Sequence, residues 1–232
     1  YKVFENIDSE IIEDLDQSNI FQYKEQINAL YTQYGVKVED KYSFLLGLRV
    51  ENTIKDINQL TTQEFINKNG EGNFTINIAL IENGFPIMGI VYAPALKKYF
   101  HGCISHGAWE LSNGSDKRIH TSPHISNKIV AVASRSHIDK ETKQWLTDNK
   151  VKKTISIGSS LKFCLVANGE ADVYPRFSPT MEWDTAAGDA ILRSAGGIVK
   201  TANDTVFVYG KKKYLNGPFI AWGKTTSTPL TS

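Results

Sequence analysis

Between residues 128 and 196 the chain alternates strand-like and helix-like stretches, and this limits the fold more than any single motif does. "KIVAVAS" (128–134), "KKTISIG" (152–158) and "ADVYPRF" (171–177) have strand texture; "DKETKQWLTDN" (139–149), "SSLKFCLVANG" (159–169) and "TAAGDAILRSAG" (185–196) have helical spacing. Strands alternating with short helices predict an α/β lobe. Upstream, "FTINIALIENGFPIMGIVYAP" (74–94) alternates Phe74, Ile76, Ile78 and Leu80 with smaller or polar residues. Asn83-Gly84 is a hairpin signal, and Ile87 to Tyr92 supplies the returning strand, so an antiparallel pair within a larger sheet is expected.

"KKYFHGCISHGAWEL" (97–111) continues that sheet, with Gly102 and Gly107 read as turns, and "SNGSDKRIHTSP" (112–123) reads as a polar, turn-rich connection. Nearer the start, Ile11, Ile12, Leu15, Ile20, Tyr23, Ile27, Leu30 and Tyr34 fit helical spacing in two stretches over 9–34, the second ended by Gly35. A soft boundary near 115 divides an amino-terminal α+β lobe, 1–115, from a carboxyl-terminal α/β lobe, 116–232. No internal repeat or low-complexity tract is visible.

The chain has 232 residues, 41% of them hydrophobic, enough to bury a substantial core. Basic and acidic residues number 26 and 25, which leaves no basic footprint for a nucleic acid polymer. Any anion must be bound by local geometry. Cys103 and Cys164 belong to no C-x-x-C pair or zinc spacing and read as reduced core residues. No segment approaches the roughly 18 apolar residues of a membrane span, and "YKVFENIDSE" has no signal-peptide core. The expectation is a soluble, cytoplasmic protein, a monomer or homodimer.

Three places can carry chemistry. Ser159 is a plausible N-cap for the helix at 159–169, with Gly169 at its far end. Lys162 then falls in the first turn, where the helix dipole disfavours a cation unless an anion is bound there. Arg176, on the next strand, could complete a phosphate clamp; alternatively both are solvated surface cations. "SRSH" (134–137) closes a strand ahead of a helix, where open α/β sheets present ligand contacts. His137 could meet a base or cap the helix. Asp184 precedes a helix rich in small residues, Ala186, Ala187, Gly188 and Ala190, which allow close packing. As an N-cap it would accept a bond from Ala186 or Ala187; held rigidly, it would also suit a hard cation such as magnesium.

"TISIGSSLKFCLVANGEADVYPRFSPTMEWDTAAGDAILRSAGG", with "SRSH" and "GNFTINIALIENGFPIMGIVYAPA", resembles the inositol monophosphatase superfamily, and most of all its 3′(2′),5′-bisphosphate nucleotidase (CysQ-type) branch. The resemblance runs from about residue 64 to the end. It implies a layered αβαβα sandwich of the α/β (α+β) class and Mg2+-dependent removal of the 3′-phosphate of adenosine 3′,5′-bisphosphate to give AMP, in sulfur assimilation and nucleotide recycling. By the same resemblance Asp184 is a metal ligand. Ser159, Lys162 and Arg176 grip the phosphate that is not hydrolysed, and Ser136 and His137 lie on the nucleoside side. Inositol phosphates and fructose 1,6-bisphosphate are the other substrates that the superfamily suggests.

The sequence departs from that family ahead of Phe65. Where the family carries D-P-[IL]-D-G-T, this chain reads "KDINQLTTQEFINKNG" (55–70). A gap-free count puts Ile57 and Leu60 at the two metal-binding aspartates, and neither can bind a cation. One inserted residue instead aligns Asp56 with the first aspartate, Gln59 with the second and Thr61 with the threonine. Glu39, in "VKVEDK" (36–41), then stands for an upstream glutamate, and Asp14 and Asp16 lie near the place of the remaining acidic position. On this alignment Asp56 and Thr61 join Asp184 as catalytic residues, and Glu39 joins Asp184 and Asp56 at the metal. The departure has two explanations: a diverged relative that binds nucleotide without turning it over, or residues missing between the flanks of the signature.

Overall fold

The computed structural model describes residues 26–38, 42–54, 73–112, 114–122, 128–134, 138–158 and 160–223; for 26–54 it describes the backbone path alone. Seven strands in chain order form an antiparallel meander: β1 (Gln26–Val38), β2 (Tyr42–Ile54), β3 (Asn73–Glu82), β4 (Phe85–Ala93), β5 (Lys98–Cys103), β6 (Gly107–Ser112) and β7 (Ser115–Ile119). The helical reading fails at β1, where strand runs through Gly35 to Val38. Leu30, Thr32, Tyr34, Val36 and Val38 recur every second residue, and β2 pairs with β1 from Gln26↔Ile54 to Val38↔Tyr42. A strand partner, absent from any helical count, decides between the two periods. Residues 9–25 lie outside the described part.

The expected hairpin at 74–94 is present, and Asn83 (φ 50) and Gly84 (φ 80) both take the left-handed conformation that its tight turn requires. Its inward face, however, is the opposite of the one that the large apolar residues suggest. Thr75, Asn77, Ala79 and Ile81 are buried, whereas Ile76, Ile78 and Leu80 are only half-buried. The cause is the helix packed on that face, α3 (Ala186–Ser194). A Cβ on Gly89 would stand 2.2 Å from the Ala187 carbonyl oxygen, and one on Gly102 2.9 Å from the Ile191 Cα. Backbone approaches this close admit small residues on the sheet and exclude Ile or Leu there.

Gly102 is accordingly not a turn: it pairs with Ala108 inside the β5–β6 ladder, and the chain reverses between Cys103 and Gly107. The connection read as polar and turn-rich contains strand β7, so the first sheet continues to Ile119.

The second sheet has the order β12-β14-β10-β8-β9, from β8 (Val130–Ala133), β9 (Lys153–Ser156), β10 (Val173–Arg176), β12 (Ile198–Thr201) and β14 (Phe219–Trp222). β8 is parallel to both β9 and β10. The two helices joining these three strands are α1 (Lys140–Asp148) and α2 (Leu161–Ala167), both close to their expected positions. A small ribbon pairs β11 (Thr180–Met181) with β13 (Leu215–Asn216).

Helices α2 and α3 lie between the two sheets. α2 is buried along its whole length, and Phe163 stacks on Phe219 and meets Tyr174 edge-on. α1 covers the outer face of the second sheet through Trp145 and Leu146, against Ile129, Ala131 and Val173. The described residues therefore alternate sheet, helices, sheet, helix, as the expected α/β sandwich requires. Cys164 is a free core residue; Cys103 is also free but only half-buried, beside the β5–β6 turn.

Candidate functional site

Three parallel strands end at one edge of the second sheet, so the segments following β8, β9 and β10 emerge side by side. Among the described residues those segments carry Ser134, Ile138 and Asp139, then Ser160 at the entry to α2, and Arg176 with the residues after it. This is where open α/β sheets bind ligands. Pro175 helps to open the edge: it has no N–H to donate, and β10 pairs with β8 only at Val173↔Ala131. Asp139 ties two of the segments together. It caps α1 through the Thr142 N–H at 2.6 Å and also accepts the Ser178 N–H at 3.3 Å. Burial opposes ionisation of Asp139, but these N–H groups and the Thr142 hydroxyl outweigh it and hold the carboxyl below its usual value.

Lys162 is not a solvated cation. It is 3% exposed, its Nζ donates to the Ile157 carbonyl at 3.3 Å, and it lies 5.5 Å from the centre of the Tyr174 ring. Tyr174 and Arg176 are two apart on β10 and share a face, so Lys162 and Arg176 stand on the same side of that strand. Arg176 is half-buried and donates to the carbonyls of Ser178 at 3.1 Å and Pro179 at 3.2 Å. Ser159, Ser136 and His137 lie outside the described residues.

The N-cap of α2 is Ser160 rather than Ser159, and its hydroxyl, instead of capping, crosses to the first sheet. It donates to Asn77 Oδ1 at 2.6 Å and lies 3.0 Å from Thr75 Oγ1. These polar residues fix the start of α2, and with it Lys162, against β3. The signal for them was Thr and Asn at alternate positions in "FTINIAL".

Asp184 does not cap α3. Thr185 is the N-cap, and Asp184 closes a 3-10 turn, Glu182–Asp184, that packs against β2 and β3. It is 8% exposed, and its Oδ2 accepts the Thr180 hydroxyl at 3.2 Å. Among the described residues, the polar atoms Trp183 Nε1, on the same turn, and Asn216 Oδ1, opposite Thr180, are buried without a hydrogen-bond partner. Such atoms point to a bound water or ligand. Magnesium binds through one or two carboxylates, with waters and substrate phosphates completing its shell. Asp184 fits that use as one ligand. Among the described residues, no group of three His, Cys, Asp or Glu could hold a metal. Asp56, Thr61 and Glu39, the residues expected beside Asp184, lie outside the described part. β2, the strand against the Asp184 turn, reads YSFLLGLRVENTI and offers one acid, Glu51. No described helix is long and apolar enough to cross a membrane.

Comparison with known proteins divides the chain. Residues 61–228 match the inositol monophosphatase family. Residues 1–76 match another family, outer membrane protein beta-barrels. The 3′(2′),5′-bisphosphate nucleotidase CysQ of Salmonella typhimurium is 46% identical over 159 residues, covering 68% of this chain and 63% of that protein. The CysQ of Escherichia coli strain K12 is 49% identical over 138 residues, covering 60% of this chain and 54% of that one. The chain thus spans less than two thirds of the length of these relatives. The crystal structure of CysQ from Bacteroides thetaiotaomicron, a bacterial member of the inositol monophosphatase family, superposes with a TM-score of 0.60 at 42% identity, over 70% of this chain and 66% of that one. With its sandwich and the greater part of its sequence shared with these proteins, the chain belongs to the inositol monophosphatase family.

Proposed function

We propose that the chain binds adenosine 3′,5′-bisphosphate and removes its 3′-phosphate to give AMP, a Mg2+-dependent phosphatase reaction serving sulfur metabolism in the cytoplasm. The observation that carries this reading is the edge where β8, β9 and β10 end, with Lys162 and Arg176 on one side of β10 and Asp184 held on its buried turn. Relatives named as bisphosphate nucleotidases share this stretch at 42–49% identity.

Lys162, Arg176 and Ser159 hold the phosphate that stays. The ammonium is buried, so its attraction for a phosphate is screened less than in water. Ser136 and His137 meet the nucleoside. Asp184, with Asp56 and Glu39, would hold magnesium; when bound, the ion lowers the pKa of a coordinated water and offsets charge on the leaving oxygen. Asp56 and Thr61 would orient the attacking water. Incubation with adenosine 3′,5′-bisphosphate and magnesium, followed by phosphate measurement, tests the reading. No release above a blank at any magnesium concentration removes it.

A second reading is nucleotide binding without turnover. It is favoured by the likeness of residues 1–76 to a different family, since Asp56 and Glu39 fall in that stretch and ahead of the match that begins at 61. Calorimetry with and without a chelator separates the two: affinity indifferent to magnesium supports binding alone.

A further inference from the structure

Two buried carboxylates flank Asp184 and take no part in the reading above. Glu182 is 0% exposed, and its oxygens accept the backbone N–H groups of Gly210 at 2.9 Å and Lys211 at 3.0 Å, with Lys211 Nζ at 3.0 Å. Asp189 is also 0% exposed; Arg193 Nε donates to it at 2.6 Å and the Tyr209 hydroxyl at 3.0 Å. Arg193 reaches on to the carbonyls of Val199 and Phe207. Lys211 Nζ in turn contacts the Val208 carbonyl and lies over the rings of Phe207 and Tyr209. Both carboxylates are thus fastened to one segment, 207–211, from opposite sides of Asp184.

We infer that Glu182 and Asp189 are positioning residues, a two-point brace that fixes the Glu182–Asp184 turn and the start of α3 against residues 207–211, and so sets the direction of the Asp184 carboxylate. This rests on the reading of Asp184 as the residue facing the reacting phosphate. Further hydrogen bonds tie the turn at both ends. At residue 182 the Glu182 carbonyl also accepts the Thr185 N–H and hydroxyl, both at 3.1 Å. At residue 189 the N–H is bonded to the Thr185 carbonyl at 2.8 Å. Such a turn can hold a carboxylate close to a fixed direction, and a misplacement of about 1 Å at a reacting centre costs up to roughly 100-fold in rate. The Lys162 and Arg176 contacts lie on other elements and do not pass through the brace.

The test uses the full chain and the variants Glu182→Gln and Asp189→Asn, both near-isosteric. With adenosine 3′,5′-bisphosphate and magnesium, each variant is expected to lower kcat by about 10- to 100-fold and leave KM within about twofold. A purely structural role would lower the active fraction and the melting temperature without that split. Amide exchange read by mass spectrometry is the second arm and needs no turnover. The amides of 183–188 and of 209–211 are expected to exchange at least about tenfold faster together, as when a charge-assisted hydrogen bond is lost, while α1 and α2 keep their protection. Exchange unchanged in both variants, or raised everywhere alike, overturns the brace. If the unmodified chain releases no phosphate, the hydrolysis reading fails on that result, and exchange alone decides the brace.

Discussion

The hairpin β1–β2 and the lobe from β3 onward belong to one continuous sheet, yet they are held in it by different means. β2 joins β3 through a backbone ladder running from Tyr42↔Glu82 to Glu51↔Asn73. Such a ladder asks of its strands only an extended backbone and a matching length. From β4 onward the sheet is joined to α3 by contacts in which single atoms decide, as at Gly89 and Gly102. Residues 1–76, which carry the first two strands, match a different family from residues 61–228. β1 and β2 thus lie in the sheet of the family fold but ahead of the family match, which begins at residue 61.

The sharpest way to break this comparison is Asp184→Asn. If the amino-terminal region supplies partners for a cation, the change drops phosphate release to background while the melting temperature holds. If it supplies none, Asp184 only adds negative charge beside the nucleotide, and the same change should tighten binding, read by calorimetry in chelator. Next in size, Gly89→Val should cost about 3 kcal/mol in urea unfolding, because the added Cβ meets the α3 backbone. A loss below about 1 kcal/mol would put the hairpin and the lobe on the same footing.

Arg176→Ala should weaken nucleotide binding about tenfold, and an unchanged Kd would refute its phosphate role. The smallest effect concerns Asp139. Replacement by Ala should cost about 1 kcal/mol, and by Asn only a few tenths. Its carboxyl is held low in the folded state, so its stabilisation is present above the unfolded value and is lost as pH falls through the folded one. The Asp139→Ala difference should therefore fade below about pH 3.8, the ordinary value for an aspartate.

Much of the lobe was legible because its signals are local. Asn83-Gly84 marked the hairpin, and Ala186, Ala187, Gly188 and Ala190 marked a helix packed tightly on the sheet. What was not legible depended on partners distant in sequence. Residues 26–34 satisfy a helical count, and only pairing with β2 makes them strand. The buried face of β3 carries Thr75, Asn77 and Ala79 because α3 and Ser160 press on it; the alternation of Thr and Asn within 74–80 marks that face, but the elements that press on it lie far away in sequence. At the site, the place of Arg176 on its strand was legible, but the contacts of Glu182 and Asp189 come from residues 207–211, which no spacing rule connects to them.

The two ends of the antiparallel sheet differ in one more respect. β7 presents Asp116, Lys117 and Arg118 in succession, all exposed, and such charges discourage a further strand. β1 reads QINALYTQYGVKV, with one charged residue, Lys37, along its length. Among the described strands, an added strand would thus meet a row of charge at the β7 border and a single lysine along β1, the portion whose likeness lies with barrel proteins.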